Sequence, residues 1–329
     1  MKIFITGADG LLGSNLVREL LDQGHEVRAL IYPGSNSRTL EGLALERIEG
    51  DLLGQNFDLA AALAGCGAVF HCAAITDLWA TPELTWQVNL EGTRRLLETS
   101  LAARIKRFVF VGSASSFEPG PLEKPGDETG GFPAVYRGAP YMESKHAAAK
   151  LVREFARERG LPALIVAPTF LLGPFDSRPS GGELIRQYVS KNMGVATPGG
   201  RCFAYAPDAA RAMAAALTKG RLGETYILGG HNLTYLDFFS RVAEIAGCKP
   251  PKRVIPAGLI LIAGRIASLA EKVLRRRLLF NRELARFSLV GAYYSSDKAI
   301  RELGMTLSPV ETAIADSLNS LKQFGHLAG

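Results

Sequence analysis

The sequence predicts an α/β protein: a doubly wound parallel sheet with a smaller, mostly helical cap. Three observations lead there. Up to about residue 170, short β-rich runs alternate with helical patterns. Most of those runs are largely apolar, as strands covered on both faces must be. The length of 329 residues exceeds what one core usually supports, so a second, smaller unit is expected.

The predicted strands are Lys2–Thr6, Glu26–Ile31, Glu46–Glu49, Ala68–Cys72, Arg107–Val111 and Pro162–Ala167. Between the first two, Leu12, Leu16, Val17, Leu20 and Leu21 form a helical stripe, closed by Gly24 at the position of a helix stop. From Leu172 the composition shifts to loops rich in Gly, Pro and Ser, such as Gly173-Pro174-Phe175-Asp176 and Pro179-Ser180-Gly181-Gly182. A helix at Asp208–Thr218 and a strand at Thr225–Leu228 return to the sheet. Helices then follow at Leu236–Ala246, Ala257–Leu274, Asp297–Leu303 and Pro309–Phe324. The expected division assigns 1–171 with 203–230 to the sheet domain, and 172–202 with 231–329 to a substrate-binding cap.

Composition narrows the function classes. The chain is 47% hydrophobic and 21% charged, ordinary for a globular protein. A net charge of +6 suits anionic ligands, but the only tight basic run is Arg275-Arg276-Arg277, so nucleic acid is not an expected partner. Cys66, Cys72, Cys202 and Cys248 are too scattered for a metal knuckle, and no HExxH occurs, so no metal is expected. The chain opens directly into an apolar strand, and a cytoplasmic protein without a signal peptide is expected. Val254 to Ala263 is about half the ~20 residues of a membrane span. From Val254 through Arg277 an apolar helix joins a basic tail. A buried cap helix with a solvated end is expected there, over one resting on a membrane.

The first strand ends in Thr6-Gly7-Ala8-Asp9-Gly10-Leu11-Leu12-Gly13 and runs into a helix. Such glycines let the backbone turn sharply and approach a pyrophosphate lying against the helix N-terminus. The same triple also serves as a plain strand–helix turn. Its setting, between a strand and an amphipathic helix, favours a nucleotide site.

TGxxGxxG at this position resembles the extended short-chain dehydrogenases/reductases, and further stretches agree in order. Gly50-Asp51-Leu52 follows the third strand. Phe70-His71-Cys72-Ala73-Ala74 is similar to the HxAA segment, and Val88-Asn89-Leu90-Glu91-Gly92-Thr93 to the next helix. Tyr226-Ile227-Leu228-Gly229-Gly230 and Tyr294-Ser295-Ser296-Asp297-Lys298 recur late in the same group. The likeness spans essentially the whole chain and is strongest to the dihydroflavonol-4-reductase-like proteins of the NAD-dependent epimerase/dehydratase branch. It implies a Rossmann-like domain for dinucleotide. The implied contacts are Gly7, Gly10, Leu11, Leu12 and Gly13, then Asp51 and Leu52 near adenine, with Cys72, Ala73, Ala74 and Pro168 lining the cofactor.

Tyr141-Met142-Glu143-Ser144-Lys145 places a phenol and an ammonium on one helix face. A phenol titrating near 10 is a poor acid or base at neutral pH, and a nearby cation is expected to lower it. The family's YxxxK register implies that Tyr141 exchanges the proton and that Lys145 also holds the cofactor ribose. The strand-five motif Gly112-Ser113-Ala114-Ser115-Ser116 puts Ser113 in the catalytic position, with Ser115 as fallback, although these serines also suit simple loop capping. Asn89 is expected to brace a helix or relay protons. Thr76, Trp79, Ser115 and Thr169 are candidate substrate contacts, Trp79 with cap packing as its alternative.

The implied reaction is reduction of a ketone or aldehyde to an alcohol, or the reverse. Ser115-Ser116 stand where the dehydratases carry Asp-Glu, which removes support from elimination. The segment Ala167-Pro168-Thr169-Phe170-Leu171-Leu172-Gly173-Pro174 lacks the asparagine usual in nucleotide-sugar epimerases. Arg201-Cys202-Phe203-Ala204-Tyr205 partly resembles their phosphate-binding segment. An epimerase therefore stays open as a second reading, and a non-catalytic dinucleotide sensor as a third. The second strand ends in Tyr32-Pro33-Gly34-Ser35-Asn36-Ser37-Arg38 with no carboxylate before Glu41. Arg38 suits a 2′-phosphate, so NADP(H) is expected over NAD(H), although relatives often carry an arginine where Tyr32 stands. The sequence leaves the oligomeric state open, a homodimer included.

Overall fold

The structure is a computed structural model that describes residues 1–77, 80–191, 193–274 and 282–327. Its centre is a seven-stranded parallel sheet built from β1 (Lys2–Thr6), β2 (Glu26–Ile31), β3 (Glu46–Glu49), β4 (Ala68–His71), β5 (Arg107–Val111), β6 (Ala163–Pro168) and the strand Thr225–Leu228. The last of these pairs with β6, and the order continues β5, β4, β1, β2, β3. Strand order reverses between β1 and β4, where Thr6 lies in register with His71. Ligand crevices in doubly wound sheets open at that switch point.

The pleat sends alternate side chains into two cores. Ile3, Ile5, Val109 and Val111 join the core under α1 (Leu11–Asp22), whereas Phe4, Phe108 and Phe110 face the opposite side. That second core is closed by α2 (Leu59–Leu63), α4 (Thr93–Ala102) and α5 (Pro140–Glu158), with the short α3 (Pro82–Trp86) preceding α4. On the first face α7 (Ala206–Ala216) packs along α1 through Ala209, Ala210 and Met213, whose small or flexible side chains allow close approach.

The remaining residues hold more strand than expected. Gly200–Tyr205 pairs antiparallel with His231–Thr234 and parallel with Phe170–Leu172 and Gly291–Ala292, forming a second sheet of four strands. Its core takes Tyr188 from α6 (Gly182–Lys191), together with stacked Phe203 and Phe238, whose ring centres lie 3.8 Å apart. The late helices Ala257–Leu274 and Asp297–Leu303 fall where their periodicity predicts. One expectation is overturned: the helix Ala257–Leu274 is not a buried cap helix. It buries Ile260 and Gly264 while Leu259, Ile262, Ile266 and Leu269 stand exposed. Trp79 and the run Arg275-Arg276-Arg277 lie outside the described residues. Among the described residues, no helix is long and apolar enough to cross a membrane.

Candidate active site

The glycine loop sits at the switch point, and its three glycines answer to different demands. Gly7 has φ +67°, and an added Cβ would lie 2.6 Å from the Ala73 nitrogen. At Gly13 an added Cβ would lie 2.0 Å from the Gly7 carbonyl oxygen. The fold itself requires both. Gly10 is different, because a Cβ there meets nothing nearer than 3.5 Å. The space it leaves lies at the start of α1, whose N-terminus has no side-chain cap. A helix of 12 residues with uncapped first-turn amides suits an anion, so the loop fits a dinucleotide pyrophosphate.

Long-range contacts hold this loop. Asp9 pairs with Arg178 at 2.9 Å, Asn15 donates to the Pro174 carbonyl at 3.0 Å, and the Arg18 guanidinium lies 3.5 Å over the Phe175 ring. At the end of β4, His71 is fully buried between two threonines. Thr93 Oγ1 donates to the Asn89 carbonyl, so His71 Nε2 must donate to Thr93, and Nδ1 accepts from Thr6 Oγ1. Burial drives the imidazole down to about 3, so it stays neutral and structural. Thr6 Oγ1 also accepts from the Ala73 amide, which fixes the Cys72-Ala73-Ala74 segment against β1. The adjacent Cys72 thiol is pushed up to about 12 by burial and is no thiolate nucleophile.

Asn89 lies in a π-helical turn, Gln87–Gly92. Its side-chain oxygen accepts from the Ile75 amide, and its nitrogen donates to the Ile75 carbonyl and to Ser144 Oγ. The wider π turn aims the amide inward, where it ties the loop after β4 to α5. The Asn89 side chain thus links Ile75 with Ser144 of α5.

At the end of β5, Ser113 has extended backbone and caps the turn Ala114–Ser116. Its hydroxyl lies 2.8 Å from that of Ser115 and near enough to the Tyr141 phenol to pull its titration down. Capping and proximity to Tyr141 are therefore both met by Ser113. Lys145 is buried, donates to the Val111 carbonyl at 2.5 Å and lies 4.5 Å over the Phe110 ring. Burial lowers its ammonium to about 8, with the Cys72 thiol opposing. The Tyr141 phenol departs from expectation: it is raised, not lowered. Burial outweighs the opposing influence of the Ser113 hydroxyl, and Lys145 spends its charge on the Val111 carbonyl and the Phe110 ring.

The loop after Ser113 is stitched to the far end of the chain. The amides of Gly120 and Gly126 both donate to the Tyr293 carbonyl, Ser295 N donates to the Gly126 carbonyl, and the Tyr294 hydroxyl donates to the Phe117 carbonyl.

With this geometry in view, comparison with known proteins assigns the family. Residues 3–229 match the NAD-dependent epimerase/dehydratase family. The chain belongs to that family. A Synechocystis sp. protein provisionally named a dihydroflavonol 4-reductase is 29% identical, with 98% of this chain and 95% of that one covered. Sterol demethylase protein B of Methylococcus capsulatus is 30% identical, with 99% of each covered. The crystal structure of gox2253 superposes with a TM-score of 0.86 at 33% identity, covering 99% of both chains. The motif resemblance is borne out at the level of family, fold and similarity to reductases.

The remaining candidate residues of this epimerase/dehydratase chain divide by position. Leu11 and Leu12 are buried at the start of α1, Leu52 is buried after β3, and Pro168 ends β6. The Asp51 carboxylate accepts from the Leu53 amide, which shapes its turn. Tyr32 and Arg38 stand exposed beyond β2, Arg38 5.4 Å from the Phe324 ring, and the Ser35 hydroxyl between them is covered without a partner. Thr76 is exposed, and Thr169 faces the Cys202 thiol. A narrow pocket opens beside Tyr141, lined by Asp77, Ala80, Thr85, Ala139, Pro140, Glu283 and Phe287. Glu283 and Phe287 arrive from a helix, Arg282–Phe287, that no motif marks. Arg201 donates to the Phe287 carbonyl among Tyr136, Tyr235, Tyr293 and Tyr294.

Proposed function

We propose that the protein is an NAD(P)(H)-dependent oxidoreductase that reduces a ketone or aldehyde to an alcohol, or runs the reverse. The observation that carries this reading is the meeting of Ser113, Tyr141 and Lys145 at the end of β5, with a pocket opening at Tyr141. The nicotinamide, when bound, exchanges hydride with the substrate carbon. Ser113 Oγ holds the carbonyl oxygen, and the Tyr141 hydroxyl delivers or takes the proton at that oxygen. Lys145 holds a positive charge at the strand end, where ribose hydroxyls accept from it. Gly10 admits the pyrophosphate, Leu52 and Asp51 border adenine, and Ala73, Ala74 and Pro168 wall the ring system.

Two of the three similar proteins named above carry reductase or sterol-processing names, which supports a medium-sized, largely apolar substrate. Phe287 and the small residues Ala80 and Ala139 give the pocket an apolar wall of that kind. NADP(H) is the proposed preference, supported by Arg38 and the unpartnered Ser35 hydroxyl at the end of β2. The buried surroundings of Arg201 favour one alternative, epimerisation of an anionic sugar derivative. Absorbance of reduced cofactor decides between the two, measured with a panel of ketones, aldehydes and nucleotide sugars. Net consumption supports the reductase. Isomerised product without consumption supports the epimerase, and binding without either outcome overturns both.

A further inference from the structure

The helix Ala257–Leu274 is inside out for a cap element. Leu259, Ile262, Ile266 and Leu269 recur three and four residues apart, which places them on one face, and that face points away from the protein at 59, 54, 64 and 65% exposure. The opposite face, with Ile260 and Gly264, packs against the fold. Globular proteins seldom leave a contiguous apolar strip of this kind uncovered without a partner for it. Val254, just before the helix, is also exposed at 41%.

Charge around the strip selects the partner. Lys249, Lys252, Arg253, Arg265, Arg282 and Arg286 are all exposed, whereas Glu283 is the one exposed acid among the described residues from 249 to 287. Pairing with a second copy would set one cation-flanked strip against another, since a two-fold contact repeats the same patch on both sides. An apolar face bordered by cations matches instead the interface of an anionic bilayer, where the side chains enter the acyl boundary and the cations meet phosphate headgroups.

We propose that this helix docks the protein on anionic phospholipid membranes, lying in the interface plane without crossing it. The helix also packs on Arg282–Phe287, which supplies Glu283 and Phe287 to the pocket beside Tyr141. Docking would therefore bring the pocket close to the bilayer. The surface is independent of the reaction proposed above, and its test does not rely on turnover.

Flotation of the full chain with phosphatidylcholine vesicles, with and without about one third phosphatidylglycerol, tests it. Wild type should float with the anionic vesicles and be largely released at high salt. The double substitution Ile262→Glu with Ile266→Glu should cut vesicle binding by about tenfold or more. Being at exposed positions, it should leave the thermal midpoint and cofactor affinity unchanged. Lys252→Glu with Arg265→Glu should remove the preference for anionic lipid. Wild type that stays unbound, that binds neutral vesicles equally well, or that keeps its binding after the isoleucine changes overturns the proposal. So does a double variant that changes the mass of the particle in light scattering while leaving vesicle binding intact, which would make the strip a contact between copies.

Discussion

Lys145 Nζ donates to the carbonyl oxygen of Val111 at 2.5 Å, so a helix ammonium is anchored to the last residue of the strand that leads into Ser113. Burial holds this ammonium at about 8 instead of its ordinary 10.5. Between those two values the unfolded chain carries a proton that the folded chain lacks, so stability rises with pH across that window and the burial penalty is complete below about 8. Lys145→Met should flatten the stability slope between pH 8 and 10.5. Urea unfolding at a series of pH values measures this, and parallel slopes for both proteins would count against the buried ammonium.

The raised phenol of Tyr141 gives the two reaction directions different pH profiles. A proton donor works below its own titration point, so carbonyl reduction should stay nearly flat through neutral pH. Alcohol oxidation needs phenolate and should climb as pH rises toward and beyond 10. Initial rates in both directions test this, and oxidation that levels off below pH 8 would contradict it.

Tyr141→Phe should lower turnover by roughly two to four orders of magnitude while cofactor affinity changes little. Ser113 acts on the Tyr141 phenol, whereas the Ser115 hydroxyl hydrogen-bonds Ser113. Ser113→Ala should therefore cost more in kcat than Ser115→Ala, by about tenfold. Equal losses in the two serine variants would move the oxygen-binding role to the pair as a unit.

The glycine loop predicts a separation of folding from binding. Gly10→Val should fold with a nearly unchanged thermal midpoint and lose dinucleotide binding, because a Cβ at this position stays 3.5 Å from the Gly7 carbonyl oxygen and the branched side chain is expected to take ligand space. Gly13→Ala should instead unfold at lower temperature, since its Cβ collides with the Gly7 carbonyl. Calorimetric titration beside thermal unfolding reads both, and normal affinity in folded Gly10→Val would reduce the loop to a turn.

Cofactor choice should rest on Arg38. Its removal in Arg38→Ala should weaken NADPH by about tenfold or more and leave NADH nearly unaffected. Equal catalytic efficiency of the wild type with both cofactors would remove the preference.

Much of this was legible because parallel strands buried on both faces leave continuous apolar runs, and because Gly7, Tyr141 and Lys145 carry chemistry in short spacings. The second sheet was not. His231–Thr234 is half-buried along its whole length and reads H-N-L-T, with neither an apolar run nor alternation to mark it. Phe287 and Glu283 reach the pocket through tertiary packing alone, and the partners Asp9 and Arg178 are 169 residues apart. The upward shift of Tyr141 was hidden for a related reason. Spacing reveals that a lysine is near, but burial and the Val111 carbonyl decide where its charge acts.

The stitches from Gly120 and Gly126 to Tyr293, and from Phe117 to Tyr294, bear on the order in which the protein can be made. A ribosome delivers the serine loop long before it delivers Tyr293, and every hydrogen bond in that set waits for the later partner. The core closed by α2, α4 and α5 is complete by Ile165, while the loop beside Tyr141 still lacks its support and the core under α1 still awaits Ala299, Leu303 and Met305. That loop is therefore completed only at the end of synthesis, and a chain cut short before Tyr293 would carry the glycine loop with the segment after Ser113 unsupported.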